Sequence, residues 1–320
     1  MKQKTSSIIK IFVSLFFLGL LAFIMRNNLK NLLIILKQVK LNYFFLAIIL
    51  FLAIIIILSM RLKRVMAIQN IEIPVRNVTY LSLIGFFFNN FLPTSVAGDF
   101  VKAHYTARYT NKTLESYTSI IIDRIFGLFS FILIAALALI FADKTLKSPL
   151  ITYVILGMLL LAFFLILVIS TDFLTDKFRN LVSRLKLSGL ERKIHLFFKA
   201  LAQYKGNLGI IFFAIYTSII AQIASVLVVA ILANGLSLKV SLGLLFLTLP
   251  IISVVSMLPS LNGLGLREGA YVLFLGKYVG KEHALAISVL WLGVMLAVSF
   301  VGGIVYFLKD ILLKGGLQND

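Results

Sequence analysis

Cysteine is missing from all 320 residues, which removes disulfides, thiol catalysis and cysteine-held metals from consideration. Histidine is nearly missing too: His104, His195 and His283 stand far apart, without ligand spacing, so neither a metal nor another cofactor is expected. Acidic residues are scarce, 12 against 31 lysines and arginines. Charge as a whole is scarce, at 13% of residues, whereas 61% are hydrophobic; soluble domains carry about 25% charged residues. No Gly-x-x-x-x-Gly-Lys-Ser/Thr phosphate loop occurs, so nucleotide-driven work has no motif to rest on.

Long apolar runs fill the space that charge leaves. Ile8–Met25, Leu41–Met60, Tyr117–Ala142, Leu150–Ile169, Leu208–Ala233 and Ala284–Leu308 each approach or exceed the roughly 20 residues a helix needs to cross a bilayer. These predict an all-α polytopic membrane protein. The first run follows Lys2, Lys4 and Lys10 but lacks a small-x-small cleavage site, and reads as a retained helix with a cytoplasmic N-terminus. The net charge of +19 would suggest nucleic acid in a soluble protein. Here it lies between the apolar runs, so anionic lipid is the expected partner and nucleic acid is not.

Two stretches do not fit simple crossings. Val78–Leu92 is about 15 residues, or roughly 22 Å of helix, and stops at Pro93. A short polar helix, about Asp99 to Tyr109, follows with Asp99, Lys102 and His104. Val240–Leu258 likewise stops at Pro259, and a Gly-containing turn leads to Arg267-Glu268 and a short helix ending near Val279. Broken helices at membrane depth are tolerated only when buried in protein or lining a cavity, and transporters hold substrates there. Pro93, Gly98, Pro259, Gly263 and Gly265 are the expected hinge and turn residues.

Half a chain separates the breaks, and the hydropathy order around them matches, so a duplicated unit is expected. Residues 1–40 form an N-terminal helix and connector, 41–142 the first repeat, 150–169 a bridging helix, 170–207 a basic linker and 208–308 the second repeat. If each broken pair enters and leaves on one side, Arg61–Arg76, Arg108–Ser116, the basic linker and the C-terminal tail fall in the cytoplasm. Asp143–Pro149 and Asn234–Lys239 fall outside, in accord with the positive-inside rule; Arg26–Lys40 is the exception. Six crossings plus two re-entrant hairpins of opposite orientation then make an inverted repeat, placed in the cytoplasmic membrane with both termini inside.

Candidate site residues come from the breaks and from one crossing. Ionisable groups inside a membrane cost about 2.5–3.5 kcal/mol each and usually face a cavity or one another. Asp99 and Lys102, three apart, share a helix face; Lys102 near a half-helix N-terminus suits a lipid phosphate. In the structural alternative Asp99 caps its helix and Lys102 snorkels to the surface. Asp123 and Arg124 point about 100° apart, so each needs a partner elsewhere; Lys102 is expected for Asp123 and a headgroup for Arg124. Arg267 is a second phosphate candidate, and Glu268 a site residue or a cap. Asn90 and Asn262, with Asn89, offer hydrogen bonds to a headgroup or to backbone freed at the breaks.

The motifs Pro93-x-x-x-x-Gly98-Asp99-x-x-Lys102, Asp123-Arg124 with Gly127, and Pro259 … Asn262-Gly263-Leu264-Gly265-Leu266-Arg267-Glu268-Gly269 occur in the order seen in a known family. The chain resembles the flippase-like, lysylphosphatidylglycerol synthase transmembrane family, which includes the membrane half of the multiple peptide resistance factor and stand-alone proteins of this size. It departs at Lys102, where Arg is usual, and at Ser95-Val96-Ala97, where a Gly is common. Lys keeps the charge but loses bidentate phosphate geometry. The resemblance implies translocation of an anionic, aminoacylated or polyprenyl-phosphate-linked lipid, or help to a separate lipid-modifying enzyme. The soluble aminoacyl-transfer domain of fused relatives is not among these residues, so no enzyme activity and no catalytic residue is expected. Two alternatives stand beside transport: a membrane subunit or enzyme of lipid modification, and a carrier of small solutes on the same broken helices.

Overall fold

The computed structural model describes residues 29–91, 97–141, 148–170, 203–204, 206–258, 260 and 263–308. Among these residues all regular structure is helical. The expected helix Ile8–Met25, the hinges Pro93 and Pro259, Asn262 and most of the basic linker lie outside the described residues.

A short helix α1 (Leu29–Lys37) leads into α2 (Leu41–Ile68), α3 (Val75–Phe91), α4 (Ala97–Thr110) and α5 (Thr113–Phe141). Then come α6 (Pro149–Ser170), α7 (Leu208–Gly235), α8 (Leu242–Ser256), α9 (Leu266–Val279) and α10 (Lys281–Phe307). Four of them, α2, α5, α7 and α10, are long and apolar enough to cross a membrane, and α8 and the described part of α6 are shorter apolar helices. The chain is therefore a multi-pass helical membrane protein. Side chains that would be misplaced in water suit it: Phe45, Ile49, Ile140, Phe141, Phe212 and Phe300 all face outward.

The apolar lengths foretell the helix positions to within a few residues, with one instructive exception. Leu41–Met60 does not end at Arg61-Leu62-Lys63-Arg64; α2 continues through the basic cluster to Ile68. Lys and Arg are good helix formers and their stems pack, so a run of them need not end a helix. Arg61 is consequently 5% exposed inside the bundle, not a residue of a cytoplasmic connector, while Arg64 faces outward and lies over the Phe213 ring at 5.7 Å.

The helices meet in an ordered pattern. Within the first half, α2 packs on α3, α3 on α4, α4 on α5, and α2 on α5. Within the second half, α7 packs on α8, α8 on α9, α9 on α10, and α7 on α10. Between the halves, α3 packs on α10 while α8 packs on α5, and α5 packs on α7 while α10 packs on α2. The most extensive pairing joins α2 to α7. They run antiparallel: the Lys40 N–H before α2 donates to the Gly235 carbonyl at the end of α7 (3.0 Å), and Arg61 farther along α2 reaches Ser218 farther back in α7 (2.6 Å).

Helices α3 and α4 form a tight antiparallel pair. Near its open end Lys112 Nζ donates to the Asn70 carbonyl (2.6 Å), tying the residues after α4 to those before α3. Nearer its tip the two backbones touch at Gly85 and Gly98: a Cβ added at Gly98 would overlap the Gly85 carbonyl. Gly98, expected as a hinge, lies in the first turn of α4 and serves close approach. Gly263 and Gly265 do occupy a turn, with φ of +77° and +82°, where a side chain would be strained. Pro250 lies buried within α8.

Candidate functional site: a charged chamber between two helical hairpins

Two cavities of about 280 and 290 Å³ lie at the centre of the bundle. The first is lined by Arg61 of α2, Asp99 and Lys102 of α4, Asp123 and Arg124 of α5, and Ser218 of α7. The second is lined by Asn89 of α3, Ser256 of α8, Arg267 and Tyr271 of α9, and Trp291 and Met295 of α10. Arg124, Gln222, Ser225 and Met257 stand in the walls of both, so the cavities adjoin and one chamber connects the α3–α4 hairpin to the α8–α9 hairpin.

Each cation in this chamber is held by a carboxylate, in three different ways. Arg61 makes a two-pronged pair with Asp123, Nε to Oδ1 at 2.7 Å and Nη2 to Oδ2 at 2.8 Å, and its Nη1 donates to Ser218 Oγ at 2.6 Å. Its terminal nitrogens lie beside Gly127, where an added Cβ would stand 3.7 Å from Nη1 and 3.8 Å from Nη2. This pair is buried, ties α2 to α5, and through Ser218 ties both to α7. Arg267 pairs with its chain neighbour Glu268, Nη2 to Oε1 at 2.6 Å and Nε to Oε1 at 3.0 Å, and its Nη1 faces Met295 Sδ at 3.2 Å. Glu268 Oε2 also accepts the Gly265 N–H at 2.6 Å and so closes the start of α9.

The third arrangement is a triad. Arg124 Nη1 donates to Asp99 Oδ2, and Lys102 Nζ approaches Asp99 Oδ1 at 3.4 Å. These side chains are 14–26% exposed, against 4–6% for Arg267 and Glu268. One carboxylate is thus shared by two cations, at the boundary of the two cavities.

The family of the chain can be stated from a match that runs almost end to end. Residues 7–303 match the family model described as the lysylphosphatidylglycerol synthase TM region. The chain belongs to that family. No curated protein and no solved structure matches it.

Most candidate residues of this family member fall in the chamber or against it. Asp99, Lys102, Asp123, Arg124 and Arg267 line it, and Glu268 stands behind Arg267. Asp123 and Arg124 do find partners elsewhere, as their divergence on the helix requires, but not those expected. Asp123 takes Arg61 instead of Lys102, and Arg124 takes Asp99. The reason is register: Lys102 lies one turn after Asp99 on the same helix and stays with it, which leaves Asp123 to the buried guanidinium of α2. Asn89 acts on freed backbone, its Oδ1 accepting the Gly98 N–H at 2.7 Å. Asn90 turns back to the Phe86 carbonyl at 3.4 Å and does not line either cavity.

Arg61 and the polar stripe of α7 are the residues the sequence reading missed. Ile54, Leu58 and Arg61 recur at helical spacing on one face of α2, and all three line the first cavity. Ser218, Gln222 and Ser225 recur the same way in an otherwise apolar α7, and all three line it as well. Both signals were available in the spacing.

Proposed function

We propose that this protein binds the anionic headgroup of a membrane lipid in the chamber and carries it across the cytoplasmic membrane while the acyl chains stay in the bilayer. The observation that carries the reading is the chamber itself: cations from two helical hairpins converge on adjoining cavities inside a bundle whose outer face is apolar. Such cations are costly at membrane depth and have little structural purpose where an apolar pair would pack as well.

The motion has a candidate basis in the packing. The contacts of α2–α5 and α7–α10 exchange under one rule, α2 with α7, α3 with α8, α4 with α9 and α5 with α10. The helices exchanged, α2 and α7, run antiparallel. That is the packing expected of two repeats related by an axis in the membrane plane, with α3–α4 and α8–α9 as re-entrant hairpins opening to opposite sides. Rocking one half on the other, about the Arg61–Asp123–Ser218 junction, opens the chamber first to one face and then to the other. Lys102 and Arg124 meet the phosphate from one side and Arg267 from the other. In this reading both termini lie in the cytoplasm, the energy comes from a gradient or from the lipid's own concentration difference, and a separate lipid-modifying enzyme is a natural supplier of the cargo.

The test is reconstitution into liposomes carrying a labelled anionic phospholipid. The unmodified protein is expected to accelerate its transfer between leaflets, and Lys102→Ala and Arg267→Ala, compared at equal folded protein, to slow it by about tenfold or more. Equal rates for both variants would remove the assigned roles. Uptake of a water-soluble solute without lipid movement would favour a small-solute carrier instead.

A further inference from the structure

An unused hydrogen-bonding group stands where the two cavities meet. Gln222 lies at the middle of α7, between Ser218 and Ser225 on the polar stripe, and lines both cavities. It is 5% exposed, yet among the described residues no hydrogen bond reaches its amide. The sealed-in side-chain oxygens without a partner belong to Asn77, Ser119 and Ser288; the Gln222 amide is not closed off in that way and opens on the chamber. A carboxamide in an apolar membrane helix is expensive unless something pairs with it. The usual partner is a polar group of a neighbouring helix. Here the amide faces the cavities instead.

The hydroxyls around it have already spent their protons. Ser225 Oγ donates to the Ala221 carbonyl at 2.9 Å and Ser256 Oγ to the Ile252 carbonyl at 2.6 Å, each one turn back on its own helix. Both residues line the second cavity, and Ser225 lines the first as well. Each of these oxygens can therefore only accept from an occupant. The Gln222 amide accepts at Oε1 and donates at Nε2. The uncharged part of the wall thus suits a group that donates to these oxygens and accepts from the amide nitrogen. A phosphate oxygen or an ester carbonyl cannot donate, and an ammonium cannot accept. A hydroxyl does both.

We propose that Gln222, with Ser225 and Ser256, is the specificity-determining group of the chamber: it reads a free hydroxyl on the headgroup, so that a phospholipid bearing a hydroxyl beyond its phosphate is taken in preference to one ending in an alkyl group. The inference rests on the lipid-binding reading above and adds to it a choice among headgroups. Cations that meet the phosphate cannot make that choice, because every phospholipid carries a phosphate. The choice falls to Gln222 because an alkyl group in the same place leaves the amide and both serine oxygens unpaired. Sites built to hydrogen-bond a hydroxyl reject the analogue that lacks it for this reason. Gln222 stands in the walls of both cavities, so a headgroup in either one meets it.

Trp291 supplies a direct readout, because it is the chain's single tryptophan and lines the second cavity. The purified protein in a neutral detergent is titrated with short-chain phosphatidylglycerol, phosphatidylpropanol and phosphatidylethanolamine of the same chain length, and glycerophosphoglycerol, and Trp291 emission is followed. The first two lipids carry the same charge and differ in their hydroxyls, so their ratio isolates hydrogen bonding from electrostatics. A saturable change is expected for phosphatidylglycerol at concentrations about tenfold below those needed for phosphatidylpropanol. A weak or absent response to glycerophosphoglycerol identifies the ligand as lipid; an equal response identifies a soluble anion and overturns the lipid assignment.

Gln222→Met keeps the length of the side chain and removes the amide. It is expected to bring the two lipids to within about twofold of each other, chiefly by weakening phosphatidylglycerol. Its unfolding midpoint should equal or exceed that of the unmodified protein, because no hydrogen bond within the protein is lost. Ser225→Ala should narrow the ratio by a smaller step. Each ratio is taken within one protein, so it does not depend on how much of a variant is folded. Equal binding of the two lipids by the unmodified protein, an unchanged ratio in Gln222→Met, or a sharply lowered midpoint in that variant overturns the hydroxyl reading while leaving lipid binding intact. Tighter binding of phosphatidylethanolamine than of phosphatidylglycerol makes the preferred donor an ammonium and overturns it too. No saturable response to any of the three lipids overturns the lipid-binding reading and this inference with it.

Discussion

The α3–α4 hairpin holds its carboxylate between two cations from different helices, whereas the α8–α9 hairpin holds its arginine against the carboxylate next to it in sequence. The first arrangement is partly exposed to the chamber and bridges α4 to α5. The second is almost completely buried, and Glu268 is committed twice, to Arg267 and to the start of α9. Backbone packing differs in the same sense. Hairpin one is closed by glycine against glycine, while the exit helix of hairpin two carries Gly269, around which a Cβ would meet nothing within 4 Å. Two units with matching neighbours thus hold their charges differently: one carboxylate is shared between two cations in the partly exposed chamber wall, the other is locked with its neighbour in a buried pair. The comparison teaches that a cation's place at a hairpin does not fix its role; the partner and its other obligations do.

The largest effect that can break this comparison is Gly98→Ala. The added methyl group overlaps a backbone carbonyl of α3, which cannot turn aside as a side-chain end can, so α3 and α4 must separate. Cores answer side-chain overpacking with losses of about 1–3 kcal/mol or more, and an overlap with backbone that cannot give exceeds that range. Thermal unfolding of the purified variant in detergent should show a markedly lower midpoint, or no folded protein. A midpoint unchanged from the unmodified protein would mean that the hairpin is not closed at this point.

Next comes Arg267→Gln. It leaves Glu268 buried beside an uncharged group, which costs about 3–5 kcal/mol when a buried pair loses one member. Arg267→Gln with Glu268→Gln should recover part of the loss, because the double change removes both charges. The same measurement on Lys102→Gln should move the midpoint by less than about 1 kcal/mol, since Asp99 retains Arg124 and the site is partly wetted. Its main effect is expected on the proposed lipid transfer. Opposite behaviour, with Lys102→Gln unfolding the protein and Arg267→Gln sparing it, would invert the assignment of shared and locked charge.

How much of this was legible beforehand depends on what each signal measures. Apolar length reports the cost of exposing backbone and side chains to lipid, so it found α5, α6, α7, α8 and α10 within a few residues, and the start of α2 but not its end. Breaks were legible because Pro93 and Pro259 interrupt apolar runs. The divergence of Asp123 and Arg124 followed from helical geometry alone, and both residues proved to be paired with other helices. Their actual partners were not legible, because which carboxylate meets which guanidinium depends on the tertiary register of α2, α4 and α5. Arg61 was hidden for a further reason. A cluster of cations after an apolar run carries two meanings, a membrane boundary and a buried anchor, and the count of charges cannot separate them. Helical phase can: Arg61 continues the Ile54–Leu58 stripe toward the chamber, whereas Arg64 lies on another face.

The smallest expected effect sharpens the comparison by its sign. Gly269 lies within α9, one turn past its start, with open space where a Cβ would stand. Alanine there costs no packing and gains helix propensity, worth about 0.5–1 kcal/mol relative to glycine in a helix interior. Gly269→Ala should therefore raise the unfolding midpoint slightly, while Gly98→Ala lowers it sharply, although both are glycines in the exit helix of a hairpin. The gain also has a functional reading. If the second hairpin moves as a rigid unit when the halves rock, Gly269→Ala leaves lipid transfer unchanged; if α9 must bend near its start, the stiffer helix slows transfer while the protein becomes more stable. Measuring both midpoint and transfer rate on this one variant separates a rigid second hairpin from a flexing one. A drop in midpoint as large as that of Gly98→Ala would show that the space beside Gly269 is not open.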